Sequence, residues 1–139
     1  MTVEFRPMTI EDYPAAYALW QTATGVGLSS SDELVAIASY LARNPGISQA
    51  AYEEDELVGV MLCGHDGRRG YIHHLVVLDS YRRQGIGKKL VKRGLAALSQ
   101  DGIQKCHIFV FAENQKAIAF WKKVAWEHRQ DLILMSSYT

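Results

Sequence analysis

Between Tyr81 and Leu95 the chain reads YRRQGIGKKLVKRGL. Gly85 and Gly87 stand two residues apart, six basic residues surround them, and no acid occurs from Ser80 to Gln100. Ahead of this loop, Tyr71–Leu78 is apolar and β-branched and predicts a strand. Behind it, Ile86, Leu90, Val91, Leu95 and Leu98 recur on one side of a helix expected from Gly85 to Ser99, which Gly102 ends. A short buried strand, KCHIFVFA, follows. Strand, helix and strand in this order favour parallel pairing of Tyr71–Leu78 with Lys105–Phe111.

The loop therefore lies where a strand turns directly into a helix. The first N–H groups of a helix have no internal partner, and the helix dipole adds positive potential there. An anion gains from both. Gly85 and Gly87 have no Cβ, so a bulky anion can approach the backbone closely. Arg82, Arg83, Lys88 and Lys89 add charge at the rim. The pattern reads as a phosphate cradle. A nucleotide P-loop is excluded, because G-x-x-x-x-G-K-S/T is absent. A dinucleotide fingerprint is excluded by the third glycine, Gly94, which comes seven residues after Gly87.

The 139 residues suit one domain, 1–139, with one core. TVEFRP reads as a strand ended by Pro7, and Thr9 with Asp12 as the start of a helix running through Trp20. Ser31 is expected to cap a second helix, Asp32 to Arg43. Strands are predicted at Ile47–Glu53 and Leu57–Gly64, with Asp66-Gly67 turning a hairpin into Tyr71–Leu78. A last helix is placed from Asn114 to Lys123, and WEHRQDLILMSSY is read as a terminal hairpin.

Net charge is zero, yet residues 1–66 hold ten acids and two bases, and residues 67–139 hold five acids and thirteen bases. Such a split suits an anion on one face and a cation on another. Zero net charge and the glycine spacing argue against a nucleic-acid-binding helix. No apolar run approaches the roughly 20 residues of a membrane span. MTVEFRPMTIEDY has acids where a signal peptide has its apolar stretch, so a cytoplasmic protein without a membrane partner is expected. Cys63 and Cys106 form no C-x-x-C pair and lie in apolar runs, which reads as buried reduced thiols. No metal site is expected.

The stretch HHLVVLDSYRRQGIGKKLV resembles the acetyl-CoA motif of the GNAT N-acetyltransferase superfamily, whose signature is R/Q-x-x-G-x-G/A. VFAENQKAIAFWKKVAW resembles that family's later segment, and the order of elements matches over nearly the whole chain. The resemblance implies an α/β fold with a mixed, mostly antiparallel central sheet, splayed at one parallel strand pair and flanked by helices. It implies acetyl-CoA as co-substrate and an amine as acceptor. The diphosphate would lie on the amides of Arg83, Gln84, Gly85, Ile86, Gly87 and Lys88, beside Arg82. Pantetheine would pair with the backbone of Leu75, Val76 and Val77 in a slot opened where the strands around Val77 and Val110 part. Asn114 would contact the pantetheine arm, and the acetyl carbonyl would meet the Leu75 amide. Dimers are common in such folds, and the sequence does not decide between monomer and dimer.

Direct transfer to an amine needs removal of its proton and a proton for the departing thiolate. The family's usual donor, the Tyr of a Phe-Tyr pair, is replaced by Trp121, and the following Gly-Phe by Ala125-Trp126. Tyr71 and His73, two apart on a strand and so on one face, are the catalytic candidates. His74 would point to the other face unless a bulge turns it. Solvent protonation of the thiolate is a further route. The acidic first half would suit a cationic amine. A non-catalytic acetyl-CoA-binding module and a different acyl donor are the rival readings.

Overall fold

In the computed structural model, which describes residues 2–139, the strand Glu56–His65 is buried along nearly all its length. This is β3, the middle of a five-stranded sheet with β1 (Glu4–Pro7), β2 (Gln49–Glu53), β4 (Gly70–Val77) and β5 (Cys106–Ile108). The order is β1-β2-β3-β4-β5. Neighbours are antiparallel except β4 and β5, which are parallel as the strand–helix–strand order predicts. Successive β3 side chains serve opposite layers. Val60 and Leu62 join a core with Trp20, Leu19 and Ala16 of α1 (Tyr13–Thr22) and Ile37 of α2 (Leu34–Arg43). Gly59, Met61 and Cys63 face α3 (Ile86–Gln100) on the other side.

Close packing on α3 explains two glycines, one inside the helix and one at the start of β4. A Cβ at Gly94 would meet Met61 at 2.5 Å, and one at Gly70 would meet Leu98 at 2.6 Å. Both thiols are free, Cys63 buried and Cys106 half-buried.

The start of the first helix follows the sequence closely. Thr9 and Asp12 form a capping box around a short 3-10 turn, with the Thr9 N–H donating to Asp12 at 2.8 Å. Asp12 is buried and also takes an ion pair from Arg6 at 3.0 Å, which fastens β1 to the helix. The Asp66-Gly67 turn is also present. Asp66 accepts the N–H groups of Arg68 and Arg69 at 2.8 and 2.9 Å.

Three expectations need correction. Ser29, not Ser31, caps the second helical segment, because the chain first makes a 3-10 turn over Ser30–Asp32 and α2 begins only at Leu34. β5 covers three residues rather than Lys105–Phe111. Its ladder stops at Ile72↔Ile108, just before β4 departs from regular geometry. The terminal hairpin is not formed among the described residues. Leu132–Met135 is a continuous apolar run without the period-2 alternation or the glycine turn that a hairpin needs, and Ile133 is 84 % exposed.

The chain divides into two compact units, the first ending at Phe109 and the second running from Val110 to Thr139. The second contains α4 (Gln115–Lys123), capped by Asn114, whose Oδ1 accepts the Ala117 N–H at 3.1 Å. Trp121 is buried and packs on Trp126 with ring centroids 4.6 Å apart. Indole donates one hydrogen bond and does not serve as an acid. No helix among the described residues is long and apolar enough to cross a membrane.

Candidate active site

β4 leads straight into the basic glycine loop. A 3-10 turn over Asp79–Tyr81 follows the strand, and then Arg83 (φ 62°) and Gly85 (φ 78°) both adopt left-handed backbone. Left-handed residues in a turn aim neighbouring N–H groups into one concavity. Gly85 is the N-cap of α3, and no side chain caps that end among the described residues. The first intrahelical bond is Lys89 N–H to Gly85 O at 3.0 Å, so the amides before Lys89 are left for an external partner. A Cβ added at Gly85 would meet nothing within 4 Å, so the space above the amides is open.

The start of the loop is tied down twice. The Tyr81 hydroxyl donates to Glu53 of β2, which pushes the Tyr81 phenol up to about 12. Arg82 pairs with Asp79 at 3.0 Å and reaches the Val77 carbonyl at 3.4 Å. Arg83, Gln84 and Lys88 are exposed at the rim. Lys89, expected there too, instead stands over the Phe5 ring at 4.5 Å. On β4, Val76 is buried and Leu75 and Val77 are half-buried. From His73 onward this strand has lost its β5 partner, so one edge of its backbone is open.

A bulge makes that edge irregular. Val60 pairs with Val76 and Leu62 with His73, so two β4 residues, His74 and Leu75, oppose Met61 alone. His74 takes φ 52°. Neighbours on a regular strand point to opposite faces, yet the rings of His73 and His74 lie 6.4 Å apart. The bulge has brought both imidazoles to the helix α1–α2 side. Tyr71 shares that side: its ring stacks on Phe109 at 6.1 Å, and His73 lies 6.5 Å from the same ring and 6.3 Å from Tyr40.

The sequence reading missed two residues here. Trp20 is fully buried, donates from Nε1 to the His74 carbonyl at 3.1 Å, and packs on its ring at 5.2 Å. Asp32 is buried and lies 2.8 Å from His74 Nε2. An apolar periodicity found Trp20 as core, but no local signal links residues so far apart.

Burial, and then the neighbouring His74, hold the His73 imidazole below its usual range. The unfolded chain, with a His value of about 6.5, binds this proton more readily than the folded one. Stability tied to His73 is therefore full above about pH 7 and lost as pH falls through the unfolded value. The melting temperature should drop between pH 7.5 and pH 5.5, and drop less in His73→Phe. An equal fall in both would separate His73 from the effect.

Comparison with known proteins fits this geometry. The sequence model of the Acetyltransferase (GNAT) family matches residues 11–126. The chain belongs to the GNAT family. A curated relative, Acetyltransferase SG1711 of Sodalis glossinidius, is 26 % identical over 133 residues, covering 96 % of this chain and 93 % of the relative. The structure of AAC(6')-Iy with the bisubstrate analogue CoA-S-monomethyl-acetylneamine aligns over 100 % of both chains, with a TM-score of 0.79 and 13 % identity. The PaiA N-acetyltransferase of Thermoplasma acidophilum, in complex with coenzyme A, aligns over 88 % of each chain, with a TM-score of 0.74 and 18 % identity. The GNAT architecture is thus that of an acyltransferase, with the mixed sheet, parallel β4–β5 pair and flanking helices described above.

Proposed function

We propose that this GNAT enzyme moves an acetyl group from acetyl-CoA directly to a primary amine of a small molecule or protein, and that 1–139 acts as one acetyltransferase domain. The observation that carries the reading is the continuity of two features: the open backbone edge of β4 runs into the uncapped amides behind Gly85. A pantetheine amide can pair with the first, at Leu75–Val77, while a diphosphate rests on the second, at Arg83–Lys88. Arg82 is half committed to Asp79 and contributes at the rim. Asn114 caps α4 through its Oδ1 and keeps its two amide hydrogens as donors.

The Leu75 N–H lies in the bulge and can polarise the acetyl carbonyl as charge develops on its oxygen. Tyr71 and His73 border the acceptor side. His73, held neutral by its burial, can accept a hydrogen bond from the amine. With Trp121 in the family's tyrosine position, the thiolate takes its proton from the amine itself or from solvent.

A panel of spermidine, an aminoglycoside, glucosamine 6-phosphate and peptides with free N-termini tests this, with acetyl-CoA turnover read by free thiol release. At least one amine should give saturable release. Coenzyme A binding by calorimetry with no release from any amine would favour a non-catalytic binding module.

A further inference from the structure

The His74–Asp32 pair is built more firmly than a surface ion pair. The two side chains are 16 % and 6 % exposed. Asp32 cannot swing away, because its other carboxylate oxygen accepts the Ser29 N–H at 3.0 Å and its carbonyl accepts the Tyr13 hydroxyl at 2.7 Å. The Trp20 ring packs against the imidazole, with centroids 5.2 Å apart. A carboxylate oxygen only accepts, so His74 Nε2 carries a hydrogen, and in the neutral ring Nδ1 keeps the lone pair.

The arrangement exists at a backbone cost. Non-glycine residues seldom take φ near 52°, and such strain persists where the surroundings over-determine it. Here Trp20 fixes the carbonyl and Asp32 the ring. The bulge sets His74 immediately before Leu75, on the side shared with Tyr71 and His73.

We infer that His74 is the base that takes the proton of the acceptor amine, and that Asp32 positions it and balances the charge it gains. This rests on the amine-acetylation reading above and deepens it. His74 Nδ1 removes one proton from R–NH3+. The freed lone pair attacks the acetyl carbonyl carbon, a C–N bond forms, the C–S bond breaks, and sulfur leaves with the electron pair. The nitrogen's surplus proton neutralises the thiolate, and the imidazolium returns its proton to solvent. The groups facing His74 are Asp32 from the turn before α2, Trp20 from α1 and His73 from β4, with Tyr13 and Tyr17 of α1 and Tyr40 of α2 beyond them. His73 is the weaker candidate, since among the described residues no carboxylate lies within hydrogen-bond distance of it.

The test uses the full chain, acetyl-CoA and the fastest amine of the panel. His74→Asn suits the left-handed backbone, which Asn tolerates. It should lose about 100-fold or more in kcat at pH 7.5, with KM for acetyl-CoA unchanged, and recover as the amine deprotonates at higher pH. Asp32→Asn should lose about 10-fold or more in kcat, with KM for acetyl-CoA unchanged. A kcat within threefold of the unaltered protein in either His74→Asn or Asp32→Asn overturns the assignment. Should His74→Asn not fold, Asp32→Asn decides.

A second readout needs no acceptor. Nitrogen-15 spectra of the resting protein should show the neutral His74 ring protonated on Nε2, as its contact with Asp32 requires. A neutral His74 protonated on Nδ1 overturns the pair. If coenzyme A binds but no amine is acetylated, the amine reading fails and these spectra still decide the pair.

Discussion

Gly87→Glu should abolish coenzyme A binding while leaving the protein folded and no less stable. Gly87 lies in the first turn of α3 and does not need a left-handed backbone, unlike Gly85 at φ 78°. Glu improves on glycine's helix propensity by several tenths of a kcal/mol up to about 1 kcal/mol. An acid in a helix's first turn also suits the dipole. The same carboxylate would then occupy the potential meant for the diphosphate. At about 4 Å and an effective dielectric of about 20, repulsion between unit charges is roughly 4 kcal/mol. A loss of at least about 100-fold in affinity corresponds to close to 3 kcal/mol. Calorimetry with coenzyme A and a thermal melt of the free protein check both halves. Unchanged affinity would remove Gly87 from the site, and a collapsed melt would mark its role as structural.

Trp20→Ala should carry the largest stability loss in the chain. The side chain is fully buried at the centre of the core between α1 and the sheet. Truncations of this size cost about 3–5 kcal/mol, or about 10–20 °C in melting temperature for a chain of this length. The loss should not stop at packing. Trp20 donates to the His74 carbonyl, so its removal frees the bulge that places two imidazoles on one face. Trp20→Phe separates the two effects. It keeps most of the ring and loses the hydrogen bond, about 1–3 kcal/mol for a buried acceptor left unmade. A fall in kcat larger than the stability loss explains, with coenzyme A affinity unchanged, is the expected result for Trp20→Phe. Unaltered turnover would show that the bulge holds itself.

What the sequence revealed follows from the range of each signal. Thr9 and Asp12, three residues apart, report their own capping box. Asp66-Gly67 reports its turn. The apolar spacing through Leu98 gives α3 to within one residue at each end. Long-range contacts leave no such trace. Asp32 meets His74 across 42 residues, and Trp20 meets it across 54. Strand length near the site was misjudged for a related reason. KCHIFVFA is apolar enough for a long strand, but its partner bulges after His73 and the ladder ends at Ile108. Leu132–Met135 likewise has strand composition without strand periodicity, and composition alone did not make the hairpin.

The decisive measurement is a crystal structure of the protein soaked with coenzyme A. The diphosphate oxygens should lie within about 2.7–3.2 Å of backbone nitrogens between Arg83 and Lys88, as N–H···O bonds require. Pantetheine amides should lie against Leu75–Val77. Coenzyme A bound elsewhere, with the amides behind Gly85 filled by side chains from within the fold, would contradict the assignment of this corner as the seat of the acyl donor.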